Sequence, residues 1–192
     1  MTTAAPTTPD TLTFAGEVAL QAADAQGKQP TVEIVAYSGG AMRVAGFGSV
    51  VIDLEGMEIP DRLSLLADHR ATVEGIVGSA EPVVEQGRLL ARGTLTTATT
   101  AGQVLAQLGR DGVQLQASIG ATPIESRFVR EGETVQANGR TITAGRGGLR
   151  FFTRSQLREV SILPVGADTT SSAAIAARGN TMPITTDNPA DA

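Results

Sequence analysis

A chain of 192 residues with 41% hydrophobic and 3% aromatic content can build one domain around a sizeable core of Val, Leu, Ile and Ala. The absence of cysteine excludes disulfides, thiolate catalysis and cysteine-held zinc, and a formal net charge of −5 argues against a nucleic-acid-binding surface. His69 is the sole histidine and Lys28 the sole lysine, set against fourteen arginines that stay protonated at any working pH.

In chain order, residues 1–13 read as a flexible leader, rich in Thr, Ala and Pro and without the basic start and apolar stretch of a signal peptide. Thr13 to Ala22 is a strand candidate, closed by the turn signal Asp24-Ala25-Gln26-Gly27. Thr31 to Tyr37 alternates as a strand does and is broken by Ser38-Gly39-Gly40. Short strands are expected at Val50 to Leu54 and at the apolar run Leu63 to His69. Thr72 to Glu81 and Leu89 to Leu95 read as a strand pair, with Gln86-Gly87 between them.

The period then changes. Ala101, Val104, Leu105 and Leu108 fall at helical spacing, so a helix is expected over Thr99 to Arg110, capped by Thr99 or Thr100 and ended by Asp111-Gly112. Strict alternation returns from Val113 to Ile119. It puts Val113, Leu115, Ala117 and Ile119 on one face and Gln114, Gln116 and Ser118 on the other. Glu131 to Gly148 is polar and Gly-rich, a loose hairpin or loop, and Leu157 to Val165 is the last strand candidate. After Gly166 the chain turns Thr-, Ser- and Ala-rich, as a linker or disordered segment does. No run of apolar residues reaches the roughly 18 needed to span a bilayer. These elements predict a mainly β fold with helices (α+β), most simply a closed or nearly closed β-barrel with a helix outside it.

A hydroxyl nucleophile needs a base within hydrogen-bond reach. His69 is the one imidazole, and Ser118 faces away from the core near the end of an alternating strand. Gly120, next but one, leaves room for a substrate backbone and for amides of an oxyanion hole. Glu159 is a candidate third group, because Val160 and Ile162 toward the core turn Glu159 and Ser161 outward. Asp68 adjoins His69 and suits the role only if the chain turns there. Asp168, near the tail, is a further option. Each residue also has an ordinary reading: a surface or core histidine, a solvent-facing serine, and a strand glutamate paired with an arginine. One histidine and no cysteine leave only carboxylates for a metal, and no calcium loop, phosphate loop or dinucleotide fingerprint is present.

Three segments in order resemble the tailed-phage prohead (procapsid) maturation protease family. They are Leu65-Leu66-Ala67-Asp68-His69 with Gly75-Ile76-Val77-Gly78; the helix, Asp111-Gly112 and Leu115-Gln116-Ala117-Ser118-Ile119-Gly120; and Arg158-Glu159-Val160-Ser161-Ile162-Leu163-Pro164. The resemblance implies a fold similar to herpesvirus assemblin, a β-barrel surrounded by a few helices. It also implies a serine endopeptidase with catalytic His69 and Ser118 and with Glu159 in the place of the acidic third residue. Such an enzyme works in the host cytoplasm, inside the procapsid, on scaffold or the major capsid protein, with self-cleavage. Its partners are then those two proteins and further copies of itself, as a homodimer or higher oligomer, with no nucleic acid, membrane or cofactor. The protease domain would span residues 14–168, with 169–192 as a linker to scaffold or a self-cleavage region. The chain departs from the family at Ala117, where glycine is common, and in the length of Arg127 to Gly148. The alternatives are a catalytically inactive capsid-assembly scaffolding protein of the same fold and a plain β-barrel binding module.

Overall fold

The computed structural model describes residues 12–21, 29–44, 46–164 and 174–176, the first and last of these by their backbone alone. The strands are β1 (Leu12–Gln21), β2 (Thr31–Tyr37), β3 (Met42–Val44), β4 (Gly48–Ile52), β5 (Met57–Glu58), β6 (Leu63–Ala67), β7 (Ile76–Glu85), β8 (Arg88–Leu95), β9 (Gln116–Val129), β10 (Thr134–Ala137), β11 (Arg140–Thr143), β12 (Leu149–Leu163) and β13 (Ala174–Ala176). One α-helix, α1 (Thr100–Arg110), and one 3₁₀ turn, Val73–Gly75, complete the described elements. The fold is mainly β. The few helices expected around it reduce to one among the described residues, and that one is not long and apolar enough to cross a membrane.

Pairing curls the main sheet upon itself. β1 pairs with β2, β2 with β8, β8 with β7, β7 with β6, β6 with β12, β12 with β9, and β9 with β1. Along its other stretch β12 carries β4 and β5, and β13 lies parallel to β1 within the segment read as a tail. The alternation of Val32, Ile34 and Ala36 and of Leu63 and Leu65 buries these side chains with Leu89, Ala91 and Leu95 inside the curl. The helix covers part of this interior with Leu105 and Ala106. Its start is fixed by Thr99, whose Oγ1 accepts from Gly102 N at 3.1 Å and donates to Ile76 O at 2.8 Å.

The longest elements are β9 and β12, of 14 and 15 residues, paired over most of their length. β9 begins at Gln116 rather than Val113, because the preceding residues still belong to the helix end. Val113 N donates to Leu108 O, Gly112 is left-handed, and Val113 stays exposed. Thr72 to Gly75 is likewise turn rather than strand, and β12 starts at Leu149, eight residues before the expected Leu157. Residues 131–148 hold the β10–β11 hairpin, which has a small core of its own. Val135 and Ala137 pack there with Val129, Leu149, Phe151 and Val51. Asn138 at its tip, with φ 55°, donates to Gly39 O and Ile52 O and accepts from Leu54 N. The hairpin is thereby tied to two neighbouring loops.

Candidate functional site

The site lies where β12 is flanked by β9 and β6. Val160 and Ile162 of β12 stand opposite Ile119 and Ala117 of β9, and all four belong to the core. Opposite residues share a face and successive residues alternate. Ser118 with Ser161, and Gly120 with Glu159, therefore occupy the other face. A bulge makes this possible. Leu157 is still a core residue, and the register shift between Leu157 and Glu159 leaves Arg158 as the extra residue. Without that bulge, Glu159 would share the face of Leu157.

His69 is delivered by a tight turn at the end of β6. Asp68 N extends the ladder to Ile162 O at 3.1 Å, and Arg70 N closes on Ala67 O at 3.0 Å. The two central residues, Asp68 (φ 51°) and His69 (φ 56°), are both left-handed, the pattern of a type I′ turn. Asp and His are among the side chains that tolerate this region best. The next turn is held by Thr72, whose Oγ1 accepts from Gly75 N at 3.2 Å. Gly75 has no alternative there, since a Cβ would stand 2.1 Å from Arg70 O.

The imidazole and the glutamate meet. His69 Nδ1 lies 2.8 Å from Glu159 Oε1, with the two side chains 32% and 15% exposed. The Ser161 hydroxyl donates to the other oxygen, Oε2, at 2.5 Å. A carboxylate only accepts, so Nδ1 carries the proton and the Nε2 lone pair is left for other work. The chain does turn at Asp68, yet the partner of His69 is Glu159. Asp68 lines a different cavity, of about 690 Å³, between α1 and Ile162, whereas His69 and Glu159 line one of about 660 Å³ with Leu66, Val73 and Ile76. Asp168 lies outside the described residues, as do residues 1–11 and most of 169–192.

Gly120 has a different role from the one its position in the sequence suggests. A Cβ on it would stand 2.6 Å from Glu159 Oε1 and 2.9 Å from Glu159 Cγ. The space is filled by the glutamate, not kept for a substrate backbone. The same oxygen that holds His69 therefore lies against β9, which sets the imidazole near Gly120, two residues along from Ser118. Ser118 faces away from the core as expected, but it is not open to solvent: its exposure is 3%. It does not hydrogen-bond His69 in this structure. Arg158 stays exposed at the edge of the smaller cavity and donates to Gln156 rather than to a carboxylate. Among the described residues no group of three or more His, Cys, Asp and Glu is placed to hold a metal.

Ser161 was the missed member. Its signal was the i, i+2 spacing from Glu159 on one strand face. The bulge at Arg158 and the double left-handed turn leave no comparable mark in the sequence. Comparison with protein-family models, with curated proteins and with solved structures finds no significant match to this chain.

Proposed function

We propose that this chain is a serine endopeptidase with Ser118 as nucleophile and His69 as general base, acting as a procapsid maturation protease. The observation that carries the reading is the His69 Nδ1 to Glu159 Oε1 bond at 2.8 Å, made on the same outer face as Ser118. It gives the sole histidine of the chain a fixed tautomer and a carboxylate to stabilise its charged form. In the mechanism, Nε2 takes the Ser118 proton as Oγ attacks the scissile carbonyl. Backbone amides, with an arginine, stabilise the oxyanion, and water then releases the acyl-enzyme. Catalytic hydrogen bonds in free enzymes are commonly long and tighten with substrate, so the Ser118–His69 step belongs to the loaded state.

The curled, mainly β sheet is compatible with an assemblin-like barrel. Scaffold, the major capsid protein and the chain itself are the proposed substrates, the procapsid in the host cytoplasm its place of action, and a homodimer or higher oligomer its form. This part of the reading rests on the three family-like segments. The 3% exposure of Ser118 and its lack of a bond to His69 favour one rival, an inactive scaffolding protein of the same fold. A fluorophosphonate probe decides between them. Labelling at Ser118 that disappears in His69→Ala supports the enzyme. No labelling, together with no cleavage of co-expressed capsid protein, favours the scaffold. Intact mass of wild type against Ser118→Ala tests self-cleavage: identical masses without truncation count against it.

A further inference from the structure

We propose that Ser161 is a positioning residue of this site, holding Glu159 so that Oε1 is presented to His69; the proposal rests on the protease reading only for its consequence on rate. Ser161 is completely buried, at 0% exposure, on the face of β12 that points away from the core. A hydroxyl buried without a partner is destabilising, so its placement calls for an acceptor. The acceptor is Glu159 Oε2 at 2.5 Å, a length typical of a hydroxyl donating to a charged carboxylate. The contrast with Ser155 on the same strand is direct. Its Oγ is also buried, at 1% residue exposure, and has no partner.

The geometry divides the work on the carboxylate between three neighbours. Ser161 binds Oε2, His69 binds Oε1, and Gly120 vacates the volume beneath Oε1. A glutamate held by the imidazole alone could rotate about its terminal torsions, which are broad. The Ser161 bond removes that freedom, and with it the alternative in which Oε1 turns from Nδ1. The proton is thereby kept on Nδ1, and Nε2 remains the basic nitrogen. Ser161 does not touch the reacting atoms. It acts through Glu159 on the tautomer and orientation of His69, as outer partners of catalytic imidazoles do.

The chain suits a direct test because His69 is its only histidine, so the imidazole ¹⁵N signals need no assignment. In the full-length wild type at neutral pH, these signals should show the Nδ1–H tautomer. Ser161→Ala removes one oxygen and adds nothing. It should shift the signals toward the Nε2–H form and slow fluorophosphonate labelling of Ser118 by about 10–100-fold, the scale of a small misplacement of a catalytic group. Ser161→Thr keeps the hydroxyl and should restore both. An unchanged tautomer in Ser161→Ala overturns the proposal, whether or not labelling slows, because any slowing then has another origin. A tautomer that shifts while wild-type Ser118 is never labelled supports the coupling through Glu159 and removes the protease reading instead.

Discussion

The two faces of the β9–β12 pair are made by alternating residues of the same two short segments, yet they are built from different chemistry. Inward stand Ala117, Ile119, Val160 and Ile162, all at 1% exposure or less. Outward stand Ser118, Gly120, Glu159 and Ser161, of which the two serines are at 3% or less. The inner set needs only volume and contact, and would tolerate exchange among aliphatic residues of similar size. Polar groups out of water carry a cost unless they are bonded. Within the outer set, Ser161 and Glu159 meet that cost by bonding into one chain that runs on to His69. A face that only had to be covered would be less costly if apolar, and the proposed protease reading gives the polar groups of the outer face a task.

Deleting one group from each face separates the tasks, and Ser118→Ala has the largest expected effect. It should abolish probe labelling and lower peptide hydrolysis by at least about 10⁴-fold, while the denaturation midpoint stays close to wild type. A large loss of stability in that variant would mean that the outer serine is structural and would erase the distinction between the faces. Ile119→Ala, one residue along, should do the reverse. It removes a fully buried side chain from the main core and should cost roughly 2–5 kcal/mol in chemical denaturation, with labelling per folded molecule nearly unchanged.

Gly120→Ala probes the seam between the two faces. The new methyl would meet Glu159 Oε1 at 2.6 Å, and the carboxylate is the movable party. Displacing it breaks the bond to His69 at 2.8 Å. Labelling should slow by about 10–100-fold at little cost in stability. A labelling rate equal to wild type would show that Glu159 does not need its present seat.

The division into faces was readable in the sequence, and the meeting across them was less so. Alternation over Leu115 to Ile119 and over Glu159 to Ile162 assigns each residue to its side, because the strand period is two. The helix, with its Thr99 cap and Asp111-Gly112 end, was readable for the same kind of reason. The extension of β9 to Val129 was hidden by Pro123, which cannot donate to a ladder and sits where the register with Ser155 is irregular. The early start of β12 at Leu149 was hidden with it, since Arg150 to Gln156 shows no clean alternation across those register shifts. The approach of His69 to Glu159 depends on a long-range register, on one bulge and on two consecutive left-handed residues, none of which is glycine. Asp68-His69 therefore carries no turn signal of the glycine kind, and only its tolerance of that conformation agrees with what is found.

An exposed polar cluster gives the smallest expected effect and completes the comparison. Arg92 on β8 bonds Glu85 at 2.7 and 3.0 Å and Glu33 at 3.3 Å, across β7 and β2. These groups are wet: the side chains of Arg92 and Glu85 are 47% and 44% exposed. The hydrogen bond from Arg92, opposed by some desolvation and aided by its charge, holds the Glu85 carboxyl below its ordinary value of 4.5. A lowered value in the folded chain means that the contribution is present above about pH 4.5 and is lost as pH falls through the lowered value. Arg92→Ala should thus be slightly less stable than wild type at neutral pH. The gap should close in acid and in high salt, where exposed charges are screened. Urea midpoints at neutral and acidic pH, with and without salt, measure it. A gap as large as that of Ile119→Ala, or one that persists in acid, would show that polar contacts left in water here do the work assigned to the buried ones.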